Sequence, residues 1–107
     1  MYAHPQHNGG ESVRRLRQEA GLWLKQLREA RGLSQRDLAN LVGVDYYTFI
    51  SQIESGRGRI PPDRYAVFAK SLGVDPAVFV RAILKYYDPV THELLFPQPL
   101  PIPANSL

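Results

Sequence analysis

Apolar residues fall at Val13, Leu16, Ala20, Trp23, Leu27 and Ala30, in steps of three and four. That spacing predicts one apolar face on a helix over residues 12–30, with Ser12 as its N-cap. Gly21 lowers helix propensity in the middle, which leaves one long helix or two abutting ones open. Gly32 stands where a left-handed cap closes such a helix. In "LSQRDLANLVG" the apolar residues are Leu38, Ala39, Leu41 and Val42. Ser34 predicts an N-cap there. Asp37, three residues on, makes a near match to the capping box with Asp in place of Glu. Gly43 closes that helix after about two turns. In "VDYYTFISQIESG" Asp45 predicts the cap, Phe49, Ile50 and Ile53 the inward face, and Gly56 the end.

Two more helices follow. "PPDRYAVFAKSLG" has Pro near its start and Gly just past its end, with Tyr65, Phe68, Ala69 and Leu72 as its core face. "VDPAVFVRAILKYY" has Asp75 as cap and Pro76 at the first position. Its inward residues are Val78 or Phe79, then Ala82, Ile83 and Tyr86; Asp88-Pro89 stops it. "THELLF" permits a further helical turn capped by Thr91. Beyond Pro97 the prolines predict an extended or disordered chain. No stretch alternates with period two. The fold class is therefore all-α, a bundle of five helices with an N-terminal helical extension and a Pro-rich C-terminal tail. The expected division is a disordered leader over 1–11, one domain over 12–87 and a tail over 88–107.

Composition narrows the function. A chain of 107 residues suits one domain with a real core. The absence of Cys removes disulfides, thiolate chemistry and Cys-based zinc sites, and fits a reducing compartment. The three His residues are scattered, so no metal site or cofactor is expected. No Ser-His-Asp set or phosphate loop is present, and no enzymatic activity is expected. No apolar run is long enough for a membrane span, and "MYAHPQHNGG" does not read as a signal peptide. Charge is uneven. Residues 1–60 hold nine Lys/Arg against six Asp/Glu, whereas residues 61–107 hold four of each. A basic half beside a neutral half suits an anionic partner.

The two short helices joined at Gly43 form a helix-turn-helix, in which the second helix enters the DNA major groove. The small Ala39 permits their close crossing. The residues themselves resemble the phage-repressor (Xre/Cro, lambda-repressor-like) helix-turn-helix family. Its pattern is matched by Leu33-Ser34-Gln35, Leu38-Ala39, Gly43-Val44, Ile50-Ser51, Ile53-Glu54 and Gly56, and "SLGVDPAVF" resembles its closing segment. The resemblance covers about residues 22–84. It implies a compact five-helix bundle and a sequence-specific DNA-binding regulator, usually a dimeric repressor. There is one departure. Members commonly have five residues between the turn Gly and the Ile of Ile-Ser; here Val44 to Phe49 make six.

The resemblance implies that Gln35 contacts a phosphate and braces a recognition-helix side chain, and that Arg28 pairs with Glu54. Helix N-termini suit phosphates in any case, so Ser34, Gln35 and Arg36 form one expected phosphate group. Arg57 and Arg59, in the Gly-rich loop "SGRGR", form another. For base readout the outward set is Tyr46, Tyr47, Thr48, Ser51 and Gln52. Gln52 suits adenine and the Thr48 methyl suits thymine. Consecutive helical residues lie about 100° apart, so at least one of Tyr46 and Tyr47 is expected to face DNA. Arg14, Arg15 and Arg17 more often make a solvated helix face than a phosphate contact. The sequence thus predicts a cytoplasmic, nucleoid-associated repressor that binds double-stranded DNA at a palindromic operator as a homodimer, with no small-molecule ligand. Its C-terminal "RAILKYYDPVTHELLF" is expected to dimerise rather than only fold back. The alternative is an antitoxin or protein-interaction module on the same bundle.

Overall fold

The computed structural model describes residues 5–99, with side chains from Gly10 onward. Six α-helices follow in order: α1 Pro5–Ala30, α2 Gln35–Val42, α3 Thr48–Ser55, α4 Tyr65–Leu72, α5 Pro76–Tyr87 and α6 Pro89–Leu95. A 3₁₀ turn, Pro62–Arg64, leads into α4. No strand occurs among the described residues.

α1 is one unbroken helix, and Gly21 does not divide it. Ser12 lies inside it and caps nothing. Residues 5–11, expected as leader, are helical, and residues 1–4 lie outside the described residues. Each residue added to an existing helix gains one backbone hydrogen bond, and nothing from Glu11 onward stops that propagation. Gly21 is instead a contact point. A Cβ there would stand 2.2 Å from the Glu54 carbonyl oxygen, so α3 ends directly against α1.

The predicted capping box on α2 is present. The Asp37 N–H donates to Ser34 Oγ at 3.0 Å and the Ser34 N–H donates to the Asp37 carboxylate at 2.8 Å. The Ser34 N–H donated to it, with the Ser34 hydroxyl beside it, holds the Asp37 carboxyl below the usual carboxylate range. Gly32, Gly43, Gly56 and Gly73 all have positive φ at helix ends. At α5, Asp75 caps with its carboxylate accepting from the Ala77 and Val78 N–H groups. α6 is capped by Asp88 rather than Thr91. Asp88 lies one residue before Pro89, and it accepts both the Thr91 hydroxyl at 2.6 Å and the Thr91 N–H at 3.2 Å.

The core gathers Leu38, Ile50, Ile53, Phe68, Phe79 and Ile83 from four helices, α2 to α5. All four residues expected inward on α4 are buried, and on α5 Phe79 takes the inward place while Val78 is exposed. Trp23 packs on Phe79 and Tyr86, with ring centroids 5.4 and 5.9 Å apart. Three expected apolar-face positions are corrected: Val13, Ala30 and Leu41 are exposed. α2 presents only its Leu38, Ala39 and Val42 edge to the bundle, and Leu41 lies off that edge. Two core residues were not singled out. Leu24 falls a step beyond Trp23 on the same face, and Ile60 is a lone apolar residue in a basic loop; both are buried.

Candidate nucleic-acid interface

α3 is held by a buried polar cluster. Arg28 Nε donates to Glu54 at 2.7 Å and its Nη2 donates to the other carboxylate oxygen at 3.0 Å. Its Nη1 donates to the Leu33 carbonyl at 2.7 Å. The fork geometry suits a carboxylate, and the hydrogen bond to Glu54 raises the Arg28 pKa. The pairing implied by the family resemblance is therefore present. Gln35 Nε2 donates to Glu54 at 3.0 Å. Gln35 thus braces α3 from the start of α2, and Glu54 meets the helices as a neutralised group.

The turn before α3 differs from expectation. Asp45 does not cap it. Tyr47 takes the N-cap position in right-handed helical geometry, without a side-chain cap bond, and Thr48 is the first helical residue. Asp45 lies two residues before that cap position, too far for its carboxylate to serve as the N-cap, and the six-residue spacing accounts for one of those two places. Arg64 fastens the other side of this turn, its Nη1 donating to the Val42 carbonyl at 2.7 Å. Arg64 was not singled out in the sequence. Its signal was weak, a single Arg behind two prolines.

The expected base readers occupy a common surface. Tyr46 is 74% exposed and Tyr47 42% exposed. Thr48 and Gln52 are exposed, and Ser51 is half-buried with its hydroxyl donating to the Thr48 carbonyl at 3.1 Å. Tyr46, Thr48 and Gln52 line one groove of about 500 Å³ together with Asp45 and Arg64. A neighbouring groove of about 380 Å³ is lined by Arg36, Asn40, Asp45, Tyr46 and Tyr47. The Arg36 guanidinium lies 5.1 Å from the Tyr47 ring centre. Tyr46 and Asp45 therefore form a ridge between two polar-rimmed clefts.

The phosphate candidates divide. Ser34 is spent on the α2 cap and Gln35 on Glu54, although each lies at the start of α2. Arg57 is exposed, its backbone N–H donating to the Gln52 carbonyl at 3.0 Å. Arg59 turns toward α5. Its guanidinium sits 4.7 Å from the Tyr87 ring centre, and the Tyr87 hydroxyl accepts the Ile60 N–H at 3.1 Å. Burial raises the Tyr87 phenol pKa. The two arginines of "SGRGR" thus point to different tasks.

Residues 21–82 match the helix-turn-helix domain family. The chain belongs to that family. The match falls on the same stretch as the phage-repressor resemblance. Among solved structures, this helix-turn-helix chain is similar to a tyrosine-to-phenylalanine mutant of a restriction-modification controller protein. The two are 28% identical with a TM-score of 0.54, over 78% of this chain and 95% of that one. No curated protein matches. Among the described residues no helix is long and apolar enough to cross a membrane.

Proposed function

We propose that this helix-turn-helix protein is a repressor that seats two copies on a palindromic operator, each placing α3 in the major groove. DNA-binding regulation of transcription is the part that the family carries. The name of the similar controller protein is in keeping with a regulatory role here. The single observation that supports the reading most is the outward face of the turn and α3. Tyr46, Tyr47, Thr48 and Gln52 are exposed together on an element whose opposite side is buried at Ile50 and Ile53.

Two kinds of contact are assigned. Tyr46, Tyr47, Thr48, Ser51 and Gln52 supply base readout. Ser34, Gln35, Arg36, Arg57 and Arg59 supply salt-dependent affinity for the backbone. Gln35 and Arg59 have second, internal partners, so Arg36 and Arg57 carry the larger share. Occupying a promoter suffices for repression, so the protein acts by binding rather than by catalysis, in the cytoplasm.

Support for a homodimer comes from α6. One of its faces packs on α5, with the Arg81 guanidinium 4.3 Å from the Phe96 ring centre. Val90, Leu94 and Leu95 on that helix are exposed, at 70%, 78% and 59%. Selection of bound sequences from random duplex DNA tests the whole proposal. A two-fold symmetric consensus is the expected result. Enrichment of no sequence rejects specific binding, and an asymmetric single site rejects the symmetric dimer.

A further inference from the structure

α1 is longer than the family needs. It runs 16 residues ahead of the matched stretch, about 24 Å of helix at 1.5 Å per residue. This extension does not stand apart from the interface. A Cβ on Gly56 would stand 2.8 Å from Gln18 Cγ and 2.9 Å from Gln18 Cα, so the end of α3 closes directly on α1 at Gln18. The loop carrying Arg57 starts at that contact. Arg14 lies one helical turn before Gln18 on the same side. The charges of Arg17 and Arg59 both reach the Tyr87 phenol, so the two basic segments converge there.

The charge balance is one-sided. Residues 10–18 hold three Arg and a single acid, Glu11. Asp88 is within charge range of Arg59. Among the described residues neither Arg14, Arg17 nor Arg57 makes a side-chain hydrogen bond, and the ion pair within 4.0 Å is Arg28–Glu54. We propose that Arg14 and Arg17, joined by Arg57, form a second phosphate-binding surface that takes the duplex backbone flanking the base-read site. The surface rests on the DNA-binding reading above and extends it beyond the helix-turn-helix. It replaces the expectation that the N-terminal arginines are only a solvated face. Its partner is B-form duplex, because among the described residues these arginines are point charges without an acidic partner within 4.0 Å, which suits phosphates rather than base edges.

The test compares the wild-type chain with Arg14→Gln/Arg17→Gln and Arg14→Lys/Arg17→Lys. Each is titrated against salt on the selected site, once with long flanks and once trimmed to the base-read positions. On the long duplex the Gln variant should lose affinity, and its salt slope should be shallower by roughly one to two, about 0.9 per phosphate contact. The Lys variant should keep the wild-type slope, since a point charge suffices. On the trimmed duplex the three should coincide, and all three should select the same site. Equal slopes on the long duplex overturn the flanking surface while leaving the base-reading helix intact. A changed consensus in the Gln variant overturns it too, because that marks base readout. A wild-type chain that binds no duplex removes the reading beneath it.

Discussion

At the scale of single residues, the proposed function puts two chemistries side by side, on α3 and on the loop that follows it, and experiment separates them. In the proposed reading Gln52 offers an amide to a base edge, and Arg57 offers a charge to the backbone. Gln52→Ala should cost roughly 1–3 kcal/mol at one position of the site and relax preference there. Arg57→Ala should weaken all sequences alike and lower the salt slope by about one. Competition binding against single-base variants checks both; uniform losses from both mutants sink the division. Beneath them lies Arg28–Glu54, 7% and 8% exposed. Removing one member leaves the other charge buried, a loss on the order of 3–5 kcal/mol. A double-mutant cycle of Arg28→Ala and Glu54→Ala, followed by denaturant unfolding, should therefore be strongly non-additive. Additive losses would mean that the pair contributes nothing beyond its two side chains. Gln35 donates to Glu54, so its Ala variant should loosen α3 as well as the phosphate contact proposed for it.

At the scale of elements, glycine and spacing matter more than propensity. Gly21→Ala should favour an isolated helix by up to about 1 kcal/mol. In the folded protein its methyl meets the Glu54 backbone, which is not the far end of a flexible side chain. The variant should therefore lose about 2 kcal/mol or more in thermal unfolding, and a stabilised variant would contradict the close approach of α1 and α3. The start of α3 carries the opposite lesson. Six residues follow Gly43 before Ile50, and Tyr47 occupies the cap position without a cap bond. Deleting Tyr46 restores the commoner spacing but leaves Asp45 one residue short of the cap position at Tyr47. The expected result is a stability moved by less than about 1 kcal/mol, accompanied by a changed selected site. A deletion variant that melts lower and selects the wild-type site would show that the longer turn is an internally fitted structure.

At the scale of the whole molecule, the C-terminal helix both folds back and leaves apolar surface outside. Asp88 caps it, Phe96 lies under Arg81, and Val90 and Leu94, one turn apart, face outward. Because both are exposed, Val90→Glu/Leu94→Glu should leave unfolding nearly unchanged. Sedimentation should show weaker self-association, and operator affinity should fall with it. A variant that remains fully dimeric and binds tightly places the two-fold contact elsewhere. Deleting residues 88–107 should act in the same direction.

Much of this fold is local, and local features were legible. Capping by Ser34 and Asp75, closure by the glycines and the core faces of α4 and α5 follow from side chains acting on backbone within four residues. The Arg28–Glu54 pair was legible only through its resemblance to known sequences, since the partners lie 26 residues apart. The errors share a cause. Ser12, Asp45 and Thr91 are all good capping residues, and a good capping residue does not become a cap unless the helix begins there. Gly21, Leu41, Ile60 and the direction of Arg59 depend on which helix lies opposite. The sequence by itself determined α2 to α5, their order and the family. Only the tertiary structure decided that α1 continues beside the recognition loop, because that depends on Gly21 and Gly56 letting two backbones meet, a long-range contact with no periodic trace in the chain.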